Sequence, residues 1–327
     1  MIPVPQPILE SMAQSFGTPA ASLAQFGGGR EENDGIVYAY PCQAGRRLLK
    51  IQAFPAADKR RGLFCLKERL QFAHYLGQNG AHIAFPLPSP QGSLFEVTPS
   101  ETHVWVGYTM DIAPGETRRP NAWDSVFFRN WGQMIGKLHR LAEGYPSWES
   151  SVDPESGEVF LTWEEEWKGF YAWCQEAEVK QKWVEIRQSL EALPKTRQDF
   201  GFIHNDPHLW NLMVAGERIT LLDFDVANHH WFVTDIAIAC QSILFALSGG
   251  LDRPVANREK LLKFLELFLE GYERERHLPP EWLARLDLFI AYRRILLYIV
   301  MYAGIRSKPA YQQAWKRMIL TQPKVCG

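Results

Sequence analysis

The sequence predicts an α+β fold in two lobes, an N-terminal antiparallel sheet carrying one helix and a larger, mainly helical C-terminal part. Three observations predict it. Short alternating segments rich in β-branched and aromatic residues fill the first third. After Asp111-Ile112-Ala113-Pro114-Gly115, apolar residues recur at helical spacing. The interruption of that helical part, Gly201 to Ala227, reads as a loop followed by two short strands.

The strands of the first lobe are Gly35 to Tyr40, Arg47 to Ala53 and Thr102 to Thr109, each bounded by Gly, Pro or polar turns. Between them, Leu63 to Leu76 carries a helical apolar pattern and stops at Gly77. Residues 1–107 form this lobe, 108–115 a hinge and 116–327 the second lobe, an arrangement that puts a cleft between the two, where ligands tend to bind. In the second lobe Phe127 to Leu141, Trp163 to Leu193, Asp235 to Leu247, Arg258 to Tyr272 and Pro280 to Tyr302 read as helices. Asn211 to Val214 and Ile219 to Leu222 flank a turn at Ala215-Gly216-Glu217, as a hairpin does.

The bulk properties remove several classes of function. A chain of 327 residues with 46% apolar and 22% charged residues is a globular protein rather than a disordered or fibrous one. A net charge of −2 gives no general attraction to nucleic acid or anionic lipid, so neither is expected as a partner. Cys42, Cys65, Cys174, Cys240 and Cys326 are scattered, odd in number and without a C-x-x-C pair, which argues against disulfide and zinc frameworks and fits a reducing cytosol. Met1 to Ala13 lacks the basic and apolar regions of a secretion signal. Ile236 to Leu247 is too short to span a bilayer, and Leu288 to Ile305 carries Arg293 and Arg294 mid-run. Both read as buried helices, and a cytoplasmic location is expected.

The stretch that carries chemistry is His204-Asn205-Asp206-Pro207-His208-Leu209-Trp210-Asn211, followed by Leu222-Asp223-Phe224-Asp225. Phosphoryl transfer asks a protein mainly for positioning and charge neutralisation. It needs an acceptor for a hydroxyl proton, which Asp206 suits, and hard oxygen ligands for Mg²⁺, which Asn211 and Asp223 supply. The hairpin between them folds the chain back so that Asp223 meets the loop holding Asp206 and Asn211. Asp and Asn also gather in turns for conformational reasons, but the set of three with His204 and flanking apolar strands exceeds what turn preference produces.

This block resembles the aminoglycoside phosphotransferase and choline kinase superfamily, relatives of protein kinases, whose loop commonly reads H-G-D-x-x-x-x-N. Here Asn205 takes the middle position, and D-F-D stands where protein kinases have D-F-G. The resemblance implies a protein-kinase-like fold, ATP and Mg²⁺ as cofactors, and a small-molecule acceptor such as an amino alcohol or amino sugar. It also implies that Asp235 braces the catalytic loop, with His204, His208 and Asp225 supporting the site. Two other readings stay open: a bacterial Ser/Thr protein kinase, and a non-catalytic nucleotide-binding structural protein.

The upstream lobe supplies candidate nucleotide contacts. Lys50 lies in an apolar strand, where a lysine needs a reason. Kinases use a strand Lys on the phosphates, paired to a helix Glu, and Glu68 follows on the next helix. An edge-strand Lys, and a solvated face at Lys67-Glu68-Arg69, are the structural alternatives. Gly27-Gly28-Gly29 precedes the first clear strand, where Gly28 and Gly29 could cover phosphates or simply form a flexible turn.

The acceptor is harder to read. Trp163, Trp167 and Phe170 recur at helical spacing beside Tyr171 and Trp173 and form either core or a cation-binding cage, core being favoured. Glu164, Glu165 and Glu166 read as a helix N-terminus. His229 and His230 are expected to shape a loop near the phosphates.

Overall fold

A computed structural model describes residues 3–29, 35–43, 45–118, 122–248 and 256–325; Cys326 lies outside them. The chain divides into two compact units, Met1–Pro114 and Gly115–Gly327. No helix among the described residues is long and apolar enough to cross a membrane.

In the first unit, helix α1 (Gln6–Ser15) precedes strands β1 (Ala24–Gly28), β2 (Ile36–Cys42) and β3 (Gly45–Pro55). Helix α2 (Lys59–Gln78) and strands β4 (Glu96–Pro99) and β5 (His103–Asp111) complete it. The strands form one antiparallel sheet in the order β1-β2-β3-β5-β4. Alternation divides the core by face. Leu49, Ile51 and Trp105 pack with Ile8, Met12 and Phe16 of α1, whereas Val104, Val106 and Tyr108 pack with Leu66 and Leu70 of α2. Lys50, between Leu49 and Ile51, is thereby turned to the α2 face, where its cross-strand neighbour is Tyr108. Sequence reasoning omitted α1, β1 and β4: the first is a ten-residue helix without an acidic first turn or side-chain cap, and the strands are short.

The second unit begins with α3 (Ser125–Glu143), then the ribbon β6 (Ser151–Val152) and β7 (Val159–Phe160). Helices α4 (Trp163–Trp173) and α5 (Ala177–Glu191) follow, then β8 (Phe200–Ile203), β9 (Leu212–Ala215), β10 (Arg218–Leu221) and β11 (Asn228–Trp231). Helices α6 (Val233–Leu247), α7 (Arg258–Tyr272), α8 (Pro280–Leu283), α9 (Leu286–Val300), α10 (Tyr302–Arg306) and α11 (Pro309–Thr321) end the chain. Strands β9 and β10 form the expected hairpin, closed by Gly216-Glu217 with Gly216 at φ 62°. β8 pairs antiparallel with β11.

Three expectations are corrected here. Pro280 to Tyr302 is not one helix but α8 and α9, separated at Ala284-Arg285, with α10 starting at Tyr302. Trp163 to Leu193 is not one helix: the backbone extends at Cys174, and α4 folds back on α5. The indole Nε1 of Trp167 donates to the Trp183 carbonyl at 2.9 Å, and that of Trp183 to the Trp167 carbonyl at 3.0 Å. No Gly or Pro marks the break, so periodicity runs through it. His229 and His230 lie in β11 rather than in a loop, because their main chain pairs with Phe202 and Gly201.

Helices α3 and α7 approach unusually closely because Gly132, Gly136 and Gly271 line their contact. A Cβ at Gly132 would stand 1.8 Å from the Phe268 carbonyl oxygen, and one at Gly271 1.9 Å from that of Arg129. Helix α6 is buried on every side from Val233 to Leu244, its largely apolar sequence enclosing the polar Thr234, Asp235, Gln241 and Ser242. Gly132→Ala therefore pushes a methyl group into a backbone that cannot rotate away. Its expected cost is about 1–3 kcal/mol, read as a lower urea midpoint at unchanged m-value; an unchanged midpoint would refute the close crossing.

Candidate active site

The second unit gathers most of the expected residues, and a buried carboxylate organises them. Asp235 enters from the first turn of α6 and is fully buried. Its Oδ1 accepts from the Asn205 backbone N–H at 2.8 Å and its Oδ2 from that of His204 at 3.2 Å. His139 of α3 adds Nε2 at 3.2 Å, and its Nδ1 lies 2.9 Å from the Tyr272 hydroxyl of α7. Arg276 donates to that same hydroxyl at 2.9 Å and pairs with Glu143 at 2.5 Å. The brace expected of Asp235 is thus a chain of contacts reaching across α3 and α7.

His204 carries the next link. Its Nδ1 accepts from the Asp206 backbone N–H at 3.1 Å, which leaves the proton on Nε2, 2.8 Å from the Leu222 carbonyl. Burial pushes its pKa below the ordinary histidine range, which suits this neutral tautomer. The ring fastens the residue before Asp223 to the backbone of Asp206. Leu222 also donates its N–H to the Asn211 carbonyl at 2.9 Å.

Asp206 and Asn211 are held together directly, for Asn211 Nδ2 donates to the Asp206 carbonyl at 3.0 Å. That bond turns the Asn211 amide oxygen outward, and with the exposed Asp223 carboxylate it makes a hard-oxygen pair that could hold a divalent cation. Asn205 and Asp223 both have φ 65°, in the left-handed region where non-glycine residues are rare and which recurs at functional sites. His208 Nε2 stands 3.5 Å from Asp206 Oδ2, and the Asp225 N–H 3.4 Å from Asp223 Oδ1. Both are looser supports than His204.

Two groups here escaped sequence reasoning. Arg293 of α9 forms an ion pair with Asp206 Oδ1. Glu166 lies in the first turn of α4 as read from the sequence, and in addition accepts from Asn205 Nδ2 at 2.5 Å, Asn228 Nδ2 at 3.1 Å and the Tyr292 hydroxyl at 2.7 Å. The side-chain capping is made by Thr162 and Glu165: the Glu165 N–H donates to Thr162 Oγ1, and the Glu165 side chain accepts from the Leu161 N–H. Trp163, Trp167 and Trp183 are core, at 5% exposure or less.

The first unit holds the remaining expected residues. The side chain of Lys50 passes over Gly35, where an added Cβ would lie 3.0 Å from Lys50 Cε. Glu68 is half-buried on α2. Gly28, at φ 77°, ends β1, and an added Cβ would meet the Gly35 oxygen at 2.0 Å; Gly29 donates its N–H to that oxygen at 3.1 Å. Gly28 is therefore glycine because backbone crosses it closely.

Burial also sets a pH response. His139 and His230 are held below the usual histidine range chiefly by burial, His230 down to about 3. The unfolded chain takes up protons near pH 6.5 that the native chain refuses, so stability is full above that value and falls as pH drops below it. Each such group contributes a slope of up to about 1.4 kcal/mol per pH unit. Urea midpoints at pH 7.5, 6.0 and 5.0 should decline in that order, and His230→Gln should flatten the decline; an equally steep decline in the variant would contradict this.

Comparison with known proteins places this geometry. A family model described as "Phosphotransferase enzyme family" matches residues 65–278. The amicoumacin kinase of Bacillus subtilis (strain 168) is 26% identical over 288 residues, covering 85% of this chain and 82% of that protein. A solved amicoumacin kinase in complex with AMP-PNP, Ca²⁺ and Ami superposes with a TM-score of 0.83 at 23% identity, over 98% of this chain and 94% of that one. A microcompartment-associated aminopropanol kinase gives 0.68 at 16% identity, over 97% and 95%. The shared fold is the protein-kinase-like α+β fold expected from the sequence.

Proposed function

Because the chain belongs to the phosphotransferase enzyme family and is a kinase of small-molecule hydroxyls, we propose that it moves the γ-phosphoryl group of Mg·ATP onto such a hydroxyl through Asp206, Asn211 and Asp223. The observation that carries this reading is the loop itself. His204 fastens the Asp206 backbone to Leu222 and Asn211 closes on the Asp206 carbonyl, so the three oxygen-bearing side chains arise from one braced unit.

Asp206 accepts the hydroxyl proton as the acceptor oxygen bonds to the γ-phosphorus and the bond to the β–γ bridging oxygen breaks. Asn211 and Asp223 hold Mg²⁺, which when bound neutralises charge on the phosphates. Among the described residues no three His, Cys, Asp or Glu side chains form a metal cage of their own. Asn211 and Asp223 would hold the ion together with nucleotide oxygens, the donor pattern Mg²⁺ favours. Lys50 would contact the phosphates and Glu68 would steady Lys50 once nucleotide is bound, while Gly28 and Gly29, the latter with its N–H taken by the Gly35 carbonyl, would let the chain turn closely beside them.

Relatedness to amicoumacin and aminopropanol kinases makes an amino alcohol the acceptor class to test first. With amicoumacin A, 1-amino-2-propanol, choline and spectinomycin as acceptors, ADP release should require one of them. Asp206→Asn should lower kcat about a thousandfold, roughly 4 kcal/mol of barrier, while nucleotide affinity persists. Full turnover by that variant would remove Asp206 from its role.

A further inference from the structure

Past Asp287 in its first turn, helix α9 carries only two charged residues, Arg293 and Arg294, which are 9% and 1% exposed. A buried cation is costly unless a partner compensates it, and for Arg293 that partner is the Asp206 carboxylate. The rest of Asp206 is fixed through its backbone: its N–H donates to His204 Nδ1, and its carbonyl accepts from Asn211 Nδ2 and from the His208 N–H at 2.8 Å. These bonds place the Cα but leave the carboxylate to rotate. The other group near it, His208 Nε2 at 3.5 Å from Oδ2, lies beyond ordinary hydrogen-bond length.

The preceding residue of α9 acts in parallel. Tyr292 donates to Glu166, whose other oxygen accepts from Asn205 Nδ2, so adjacent helix residues secure adjacent loop residues. Asn205 stands in the left-handed region immediately before Asp206, where an unsecured side chain would let the loop relax.

We infer that Arg293 is a positioning residue for phosphoryl transfer: its guanidinium fixes Asp206 Oδ1 so that Oδ2 is presented to the acceptor hydroxyl. The inference rests on Asp206 being the proton acceptor. Guanidinium suits the task because it neither gives nor takes a proton at working pH and so does not compete in the transfer. A base must come within about 2.6–3.2 Å of its proton, and a displacement of about 1 Å in such a group costs about a hundredfold in rate.

The test measures kcat, KM and nucleotide affinity for Arg293→Met, Arg293→Ala and Arg293→Lys. The assay follows Mg·ATP-dependent ADP release with amicoumacin A or 1-amino-2-propanol, and with water as acceptor if neither reacts. Arg293→Met should lose about a hundredfold in kcat with ATP affinity within about threefold of wild type. Arg293→Lys should recover part of the loss, and guanidinium at about 10 mM should raise kcat of Arg293→Ala at least tenfold. If Arg293→Ala does not fold, Arg293→Gln replaces it. A neutral variant with kcat within twofold of wild type overturns the inference. So does a loss that guanidinium and Arg293→Lys leave untouched while nucleotide affinity falls with it, since that is the signature of a structural residue. Asp206→Asn in the same assay separates the two ideas. If it retains turnover, the role of Asp206 fails; if it is inactive while Arg293 variants are normal, only the role of Arg293 fails.

Discussion

The buried Asp235 carboxylate is the constraint on which the rest of the second unit depends. A charge at zero exposure is tolerable only when donors surround it, and Asp235 has two backbone N–H groups and the His139 ring. Those donors come from places that must first be assembled. His139 arrives only because α3 and α7 cross at glycines, and Tyr272 and Arg276 hold its far side. The His204 and Asn205 N–H groups reach Asp235 from the residues immediately at the left-handed turn of the chain. Helix packing and loop geometry are therefore coupled through one side chain.

From that anchor the site is built outward by neutral and charged links in turn. His204 is uncharged and bridges backbone to backbone, joining the Asp206 loop to the segment ending in Asp223. Beyond it stand the charged groups, Asp206 against Arg293 and Glu166 against Asn205 and Tyr292. Such a frame fits a reaction in which the protein contributes placement and electrostatic stabilisation rather than covalent chemistry. Strain at Asn205 is sustained by the hydrogen bonds around it, its N–H on Asp235 and its side-chain amide on Glu166.

Much of this was legible in the sequence where the signal was local. The Asp206, Asn211 and Asp223 set could be read because a hairpin of fixed length separates its parts. The apolar neighbours of Lys50 marked its strand; that the strand is interior rather than an edge came only with the sheet order. Arg293 and Glu166 were not legible as parts of the site, since their partners lie 87 and 39 residues away and no periodicity encodes such contacts. Arg293 did leave a trace, a charge inside an apolar run, which excluded a membrane span without naming a partner. The α4–α5 break stayed hidden because reciprocal indole bonds, rather than a breaker residue, stabilise the reversal.

The central claim is that this braced loop delivers a phosphoryl group to an alcohol rather than to water. Phosphorus NMR on the chain incubated with Mg·ATP and amicoumacin A or 1-amino-2-propanol follows the γ-phosphoryl group itself. The account predicts that γ-phosphate signal is replaced by that of a phosphomonoester on the acceptor, in step with ADP. ADP accompanied only by inorganic phosphate across the acceptor panel would contradict it.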